Sequence, residues 1–320
     1  MATVLRRFPM AVALLPMSAS ATMLLPTAAC MSTSAIRVLV TGAGGRTGAL
    51  AFEKIAARPE QFAPPTGLVN SRKAMKRLRK AGASPEQIFR GDVTNKESML
   101  SAFKKASPDA VIICTSAVPQ INKLSILKLL LAKLFRREGV RPTFRFPPGA
   151  SPEEVDYYGL KNQIDAAKDV GAQRVVLVSS MGGTDPNNFL NTIGVKPDGT
   201  GGQILMWKRK GEKYLVESGL DYTIIHPGGL LDKPGGERKL VIGVDDELLK
   251  DKSRSIPRAD VAAVCVQALL TDGASKRSID LKSEEEGPPT TDFDSLFAST
   301  DRNCDYKIDP GEPKAAIKAS

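Results

Sequence analysis

The sequence predicts a doubly wound α/β fold built on a parallel sheet, and two observations predict it. Short apolar runs rich in β-branched residues alternate with helical patterns along the chain, which is typical of parallel strands joined by helical crossovers. The first apolar run, Ile36 to Thr41, also ends in a glycine-rich turn that leads into a helical pattern. Strand, glycine turn and helix in this order are typical of the first unit of such a sheet.

Hydrophobic periodicity places the individual elements. The predicted strands are residues 36–41, 66–70, 87–89, 110–116, 174–179 and 222–226, and the predicted helices are residues 47–57, 73–81, 96–105, 155–170 and 211–218. Polar or glycine-containing motifs follow the strands. They therefore lie at the carboxyl edge of the sheet, where folds of this class bind their ligands.

We expect one domain over residues 35–298 with small C-terminal elements, because 320 residues with 42% hydrophobic content suffice for one large core. Residues 121–150 are expected to be a basic amphipathic insertion, and residues 299–320 a C-terminal tail. Residues 1–34 are rich in Ser and Thr, contain Arg6 and Arg7, and lack acidic residues. This composition is typical of an organelle targeting peptide, which we expect to be disordered.

Composition disfavours several classes of protein. A net charge of +10 favours anionic ligands, but aromatic residues make up only 5% and do not interleave with Lys or Arg, so we expect no nucleic-acid partner. The four cysteines are scattered singly and only one histidine accompanies them. No metal site or disulfide framework is therefore predicted from the cysteines.

The glycine turn carries the strongest functional signal. Its residues are Thr41, Gly42, Ala43, Gly44, Gly45, Arg46, Thr47 and Gly48. Gly42 suits a tight turn, Gly45 lets the backbone approach a pyrophosphate, and Gly48 lets the helix pack on the strand. Because the helix N-terminus then faces the anion, we predict dinucleotide binding, although an ordinary turn between strand and helix has the same outline.

The end of the second strand favours NADP(H) over NAD(H). An acidic residue at this place usually binds the ribose 2′-hydroxyl of NAD, whereas Ser71, Arg72 and Lys73 stand here. Arg72 can bind a 2′-phosphate in bidentate geometry, with Ser71 as a second donor and Lys73 or Arg46 adding positive field. Alternatively, Arg72 and Lys73 are only the solvated start of a basic helix, and NAD(H) stays possible.

The chain resembles the atypical short-chain dehydrogenase/reductases, a Rossmann-fold group, and within them the NmrA-like and plant and algal plastid NAD(P)-binding proteins. The resemblance runs from about Ile36 to Phe297. It is carried by the stretches VTGAGGRTG (40–48), GDVT (91–94), TSAVP (115–119), KNQIDAAK (161–168), SMGGTD (180–185), WKRK (207–210), PGGLLD (227–232) and PRADV (257–261).

The resemblance implies positions for the cofactor and a location in the cell. It places Asp92 and Val93 near adenine and Pro227 and Gly228 beside nicotinamide. It places three further residues beside the ribose, namely Thr115, Ser116 and Ala117. It favours a plastid as the organelle, with a mitochondrion as the alternative.

The catalytic pattern of ordinary family members is incomplete. They use Ser, Tyr and Lys, with the lysine lowering the pKa of a proton-donating tyrosine. Ser180 follows the fifth strand, but the Tyr157 to Lys161 spacing precedes that strand and is better explained as a helix surface pair. Ile204 stands four residues before Lys208, where the tyrosine is expected. Lys208 can still hold the nicotinamide ribose.

A reductase without this tyrosine can take its proton from solvent when the acceptor is a quinone or a flavin. We therefore expect an NADPH-dependent oxidoreductase that acts on a small planar acceptor. His226, the single histidine, ends the sixth strand and is either a proton donor or a structural residue bonded to its surroundings. The alternative function is a non-catalytic NADP(H) sensor or docking protein at an organelle membrane.

Two further segments leave alternatives open. Residues 121–145 combine an apolar helical face with surrounding Lys and Arg, so they form an active-site lid, a contact to a membrane or protein, or an ordinary packed helix. Residues 301–312 match a calcium-binding loop at Asp301, Asn303, Asp305 and Glu312, but Tyr306 replaces the turn glycine. A disordered acidic tail is the alternative there.

Overall fold

A computed structural model describes residues 35–122, 124–126, 130–131 and 142–308 of the chain. Their centre is one eight-stranded sheet in the order β10-β12-β8-β7-β4-β1-β2-β3. All pairs are parallel except β10 with β12. The strands of this sheet are β1 (Val38–Thr41), β2 (Thr66–Val69), β3 (Ile88–Arg90), β4 (Ala110–Ile113), β7 (Arg174–Val178), β8 (Asp221–Pro227), β10 (Lys239–Gly243) and β12 (Arg277–Glu284).

Helices cover both faces of the sheet. They are α1 (Arg46–Ala56), α2 (Arg72–Lys80), α3 (Lys96–Ala106), α4 (Leu160–Asp169), α5 (Ile204–Glu217), α6 (Arg258–Gln267) and α7 (Phe293–Ala298). A π-helical stretch, Glu153–Gly159, leads directly into α4. Two short strand pairs accompany the sheet: β5 (Gln120–Ile121) with β6 (Phe144–Arg145), and β9 (Gly229–Leu231) with β11 (Ser255–Pro257). No described helix is long and apolar enough to cross a bilayer.

Strand alternation divides the core into two layers. Val38 and Val40 of β1 belong to a buried cluster that includes Phe52 of α1 and Val261 of α6. Leu39 points to the opposite cluster, which contains residues of α3, α4 and α5. Since successive side chains of a strand point to opposite faces and helices cover both faces, all four residues of the run VLVT are buried.

The doubly wound α/β fold is confirmed, and the predicted strands are all present with small differences at their ends. Helix α5 begins at Ile204, seven residues before the predicted start at 211. The sequence analysis did not predict β10, β12 or α6. Strand β12 alternates polar and apolar residues, as in Ser278, Ile279 and Asp280, and this period of two was the available signal.

The described part of the C-terminal segment packs against β12. The backbone N–H of Cys304 donates to Ser278 O at 2.9 Å, and Arg209 of α5 donates to Asp305 O at 2.6 Å. Asn303 uses both polar atoms of its side chain, since Oδ1 accepts from Ser278 N and Nδ2 donates to Lys276 O. Residues 299–308 therefore pack against β12 and α5.

The hydrogen bonds of this segment weigh against the calcium-loop interpretation. Asn303 would have to leave the backbone of β12 to bind a cation, and Asp305 Oδ1 already accepts from Lys307 N at 2.8 Å. Glu312, like the whole 1–34 segment, lies outside the described residues. The bonds that Asn303 makes thus favour a structural role for it.

Candidate cofactor and active site

A cleft of about 880 Å³ opens at the carboxyl edge of the sheet, between β1 and β4, where the strand order reverses. It brings together most residues that the sequence analysis assigned to the cofactor. Those lining it are Gly42, Gly44, Gly45, Ser71, Asp92, Val93, Thr115, Ser116 and Ala117. These residues come from the ends of four different strands, so the fold itself assembles the cleft.

The glycine turn is held by backbone contacts that exclude side chains. Gly42 has φ +68°, and a Cβ there would lie 2.7 Å from Cys114 O on the neighbouring strand end. A Cβ on Gly48 would collide with Gly42 O, so Gly48 is required where α1 packs against the turn. Ala43 lies buried beneath the turn and donates its N–H to Leu68 O at 3.2 Å.

Gly45 differs from its neighbours because a side chain there would meet little protein. A Cβ on Gly45 would contact only Gly42 O, at 3.0 Å, whereas Gly44 packs tightly against Ala74. Gly45 precedes α1, which starts at Arg46, and lines the cleft. A glycine that is open on the cleft side of a helix N-terminus suits close approach of a diphosphate.

The first turn of α1 places no side chain in the cleft. Arg46 is exposed and pairs with Asp232 at 2.7 Å, and neither Arg46, Thr47 nor Gly48 lines the cleft. Their predicted role as cofactor residues therefore depends on the N-terminal amides of the helix.

Three cationic side chains line the end of the cleft near the second strand: Lys73, Arg77 and Arg90. Arg77 Nη1 donates to Gly44 O at 2.7 Å, which ties α2 to the glycine turn. Ser71 caps α2, since its Oγ accepts from Ala74 N at 3.2 Å. Arg72 is exposed at the first position of α2 and does not line the cleft, so Arg77 and Arg90 are cations that the sequence analysis missed.

A second, small cavity adjoins the cleft and contains the predicted Lys208. Thr115 lines both spaces, and Asp156, Ser179 and Lys208 line the small one. Lys208 Nζ lies 2.8 Å from Asp156 Oδ1, and both side chains are largely buried. The other Asp156 oxygen accepts from Ala117 N at 3.3 Å. Asp156, which the sequence analysis did not predict, thus fixes the lysine beside the cofactor loop.

The serine candidate occupies a different place from that expected, whereas the tyrosine and lysine pair does not. Ser179 lines the small cavity, whereas Ser180 Oγ donates to Met181 O at 3.1 Å. Lys161 Nζ donates to Tyr214 OH at 2.8 Å rather than to Tyr157, whose ring lies 5.9 Å from that of Trp207. The Tyr157 to Lys161 spacing is therefore a feature of helix packing, in agreement with the preferred interpretation.

His226 lies in a buried polar network beneath the small cavity. Its Nε2 lies 3.2 Å from Glu212 Oε2, and its Nδ1 lies 3.4 Å from Asp280 Oδ1. Glu212 also accepts hydrogen bonds from Ser179 Oγ and Tyr306 OH. Burial lowers the pKa of His226, but the Glu212 carboxylate, Cys304 and Asp280 together outweigh this effect and hold the pKa well above its usual value.

The same contacts shift the pKa of Glu212. Burial raises its pKa, but His226 and the hydrogen bond from Ser179 reverse that effect, so the pKa lies below its usual value. Both shifts favour the charged forms of the pair, an imidazolium and a carboxylate. Because His226 is enclosed and bonded at both ring nitrogens, the structural interpretation of this residue is favoured over a proton donor.

Pro227 and Gly228 follow His226 directly and do not line either space in the described residues. Gly228 N donates to Leu281 O at 3.0 Å, and a Cβ on Gly228 would collide with Arg254 O. Their predicted position beside nicotinamide stays a prediction. The 121–150 insertion adjoins the cleft, because Gln120 directly before it and Pro147, Gly149 and Ala150 at its end line the cleft.

Substitution of Gly45 by valine tests the glycine turn. We expect Gly45→Val to weaken NADPH binding by roughly tenfold or more, because the new side chain points into the diphosphate space. The midpoint of thermal unfolding should change little. The dissociation constant is measured by calorimetry or NADPH fluorescence.

Gly48→Val is the matched control, because it places the same side chain against Gly42 O instead of the cleft. We expect it to lower the unfolding temperature clearly. Unchanged NADPH affinity in folded Gly45→Val protein would contradict this account of the turn.

Comparison with known proteins agrees with this geometry. Residues 42–272 match the family model described as NAD(P)H-binding. Sanguinarine reductase of Eschscholzia californica is 41% identical over 277 residues, which cover 83% of this chain and 97% of that protein. An uncharacterized chloroplastic protein of Arabidopsis thaliana is 46% identical over 271 residues, covering 84% of this chain and 77% of that protein.

Comparison with solved structures identifies proteins of the same fold. An oxidoreductase of Lactococcus lactis superposes with a TM-score of 0.53 at 19% identity, covering 82% of this chain and 96% of that one. Chloroplastic relatives confirm the predicted plastid location. The glycine turn, the cleft at the strand reversal and the family match together confirm the NAD(P)H cofactor, and the chain belongs to the NAD(P)H-binding family of Rossmann-fold, reductase-like proteins.

Proposed function

We propose that this protein is an NADPH-dependent reductase that passes hydride to a small, planar, largely apolar acceptor such as a quinone or a flavin. The proposal rests on one observation, which is that the cofactor cleft and the small cavity of Lys208 adjoin each other. The cleft runs from the glycine turn past Thr115, which also lines the small cavity of Lys208 and Asp156. A dinucleotide with its diphosphate at the turn therefore has its far end beside a buried lysine.

The preference for NADPH rests on charge at the near end of the cleft. Lys73, Arg77 and Arg90 line this end, and Arg72 begins the same helix. A 2′-phosphate is dianionic or nearly so, and hydrogen bonds from cations to phosphate oxygens are about twice as strong as neutral ones. No acidic side chain of the second strand or of α2 opposes these cations.

Replacement of Lys73 by alanine tests this preference. We expect Lys73→Ala to raise the dissociation constant of NADPH by roughly tenfold and leave that of NADH nearly unchanged, because only NADPH loses a charged contact. Lys76→Ala is the control, since Lys76 is exposed on the same helix and does not line the cleft.

Arg72→Ala, measured beside these variants, shows whether the exposed Arg72 also reaches the 2′-phosphate. Equal loss of NADPH and NADH affinity in Lys73→Ala would oppose a role of Lys73 at that phosphate. Tighter binding of NADH than NADPH by the unaltered protein would reject the preference itself.

Two features support this class of acceptor: the apolar residues that line the cleft, and the absence of a tyrosine from the described lining residues. Val118, Pro147 and Val155 give the cleft an apolar wall near Ala117. Neither cavity is lined by a tyrosine among the described residues. Conjugated acceptors spread the charge delivered with hydride and can take their proton from water, so they suit such a site. The relative named sanguinarine reductase is likewise a reductase by name.

Steady-state oxidation of NADPH with a panel of quinones, flavins and sanguinarine tests the activity. We expect turnover with at least one planar acceptor, and a drop of about 10- to 100-fold in kcat/KM for Lys208→Met, because this variant removes the buried cation beside the cofactor. Lys213→Met is the control, since Lys213 is exposed on the same helix and pairs with Glu217.

Absence of turnover with every acceptor would argue against a reductase. Retention of NADPH binding in that experiment would separate a lost activity from a lost cofactor site. Equal rates for Lys208→Met and the unaltered protein would remove Lys208 from the reaction.

A second candidate function, NADP(H)-dependent docking on an anionic membrane, is supported by one surface feature. Ile121, Leu124, Leu130 and Leu131 are exposed apolar side chains at the start of the insertion. The sequence interleaves them with Lys123, Lys128, Lys133, Arg136 and Arg137. Apolar residues alternating with cations are typical of segments that lie in the interface of anionic bilayers.

Cosedimentation with phosphatidylglycerol vesicles tests the docking function. We expect the double variant Leu124→Asp/Leu131→Asp to lose most vesicle binding, because a buried charge opposes insertion into the interface. Phe189→Asp is the control, since Phe189 is exposed elsewhere on the surface. Equal sedimentation of all three proteins, or of the unaltered protein with neutral phosphatidylcholine, would contradict docking through this segment.

A further inference from the structure

Three metal-ligating side chains converge outside the cofactor cleft, and hydride transfer assigns them no role. His226 and Asp280 are register partners on β8 and β12, so their side chains lie on the same face of the sheet. Cys304 reaches them from the C-terminal segment. All three side chains are buried, with 5%, 1% and 7% of their surfaces exposed. They are the one such cluster found in the described part of the chain.

The distances between the ligating atoms resemble one face of a metal tetrahedron. His226 Nδ1 lies 3.4 Å from Asp280 Oδ1 and 3.6 Å from Cys304 Sγ, and the oxygen and sulfur are 3.9 Å apart. A tetrahedral zinc ion at about 2.0–2.3 Å from its ligands separates them by roughly 3.3–3.8 Å. An ion can therefore enter this triangle with shifts of only a few tenths of an ångström.

The surrounding hydrogen bonds orient the three ligands toward the same space. Glu212 Oε2 lies 3.2 Å from His226 Nε2, so the outer nitrogen donates to a carboxylate and Nδ1 is left for a metal. Asp246 N donates to Asp280 Oδ2 at 2.7 Å, which leaves Oδ1 on the inner side. A carboxylate behind a ligating histidine and a hydrogen bond behind a ligating carboxylate are the usual outer contacts of zinc sites.

We propose that His226 Nδ1, Asp280 Oδ1 and Cys304 Sγ bind a zinc ion that fastens the C-terminal segment to the sheet. Sulfur and imidazole ligands favour zinc over magnesium or calcium, which prefer oxygen. One Zn²⁺ with a thiolate, a carboxylate and a neutral imidazole has no net charge, which reduces the cost of burial. Binding displaces one proton from the thiol and one from Nδ1. Three protein ligands leave the fourth position of a tetrahedral ion for water or an anion.

This site has consequences for the neighbouring active site. His226 immediately precedes Pro227 and Gly228, and Glu212 behind it also accepts from Ser179, which lines the small cavity. An ion at Nδ1 would therefore fix the strand end and the serine that border the cavity. The spacing of 78 residues between His226 and Cys304 explains why no sequence motif announces the site.

The experiment loads the full-length protein with zinc, removes loosely bound ions by gel filtration, and measures metal per chain by mass spectrometry. We expect about one zinc per chain. Cys304→Ala should lose it and Cys265→Ala should keep it, because Cys265 is buried in the opposite core layer, away from the cluster. Substitution of cobalt for zinc should give a thiolate-to-cobalt charge-transfer band in the unaltered protein and in Cys265→Ala only.

The cobalt spectrum keeps the test decisive if Cys304→Ala folds poorly, because the band is read from the unaltered protein. His226→Gln, which alters the single histidine of the chain, should weaken the cobalt band strongly. Absence of zinc and of the thiolate band from the unaltered protein would overturn the proposal and leave a metal-free polar cluster. Equal metal content of Cys304→Ala and the unaltered protein would also overturn it.

Discussion

The close contact between the ends of β1 and β4 is the constraint on which the cofactor site depends. Gly42 turns away from β1 with a positive φ directly beside Cys114 O, and Gly48 packs α1 against the same turn. These contacts leave no room for side chains, so the turn in front of the backbone amides of α1 is free of side chains. Since β1 lies where the strand order reverses, the space in front of those amides is open.

Helix α5 organises the charged groups at the other end of the site. Lys208 and Glu212 are four residues apart and therefore lie on one face of this helix. Lys208 pairs with Asp156, and Glu212 pairs with His226 and accepts from Ser179. Buried charges are tolerated only with such partners, so each substitution in this set would leave an opposite charge unpaired. The lysine and the buried histidine network are thus coupled through one helix.

The sequence predicted the parts of this site that depend on local backbone chemistry. The glycine turn, Ser71, Asp92 and the loop after β4 all reach the predicted cleft, because their positions follow from strand ends alone. Arg77 and Asp156 were missed, since each belongs to a helix whose rotation and packing decide which side chain faces the cleft. Cys304 was read as an isolated cysteine because only the return of the C-terminal segment to β12 places it beside His226.

Strand β12 shows why polar strands are difficult to recognise from sequence. Alternating polar and apolar residues normally indicate a strand whose polar face meets water. In β12, however, the polar residues Ser278, Asp280 and Lys282 are buried. The strand lies inside the sheet, since β10 extends it, and the C-terminal segment covers its polar face. Ser278 and Asp280 have partners on that segment, since Tyr306 OH lies 2.8 Å from Ser278 Oγ and Cys304 Sγ lies 3.9 Å from Asp280 Oδ1, whereas Lys282 pairs with Asp251 and Glu284. The C-terminal segment therefore packs on the sheet as part of the domain.

Proton supply is the step at which the proposed reaction differs from that of ordinary short-chain dehydrogenase/reductases. Ser179 donates to Glu212 and Ser180 to a backbone carbonyl, so both hydroxyls that follow β7 are already committed. Transfer of hydride to an isolated carbonyl creates an alkoxide that needs a nearby acid, whereas a conjugated acceptor delocalises the charge until water protonates it. In the proposed reaction Lys208, held beside the cofactor loop by Asp156, would supply positive charge for that interval without having to give up a proton.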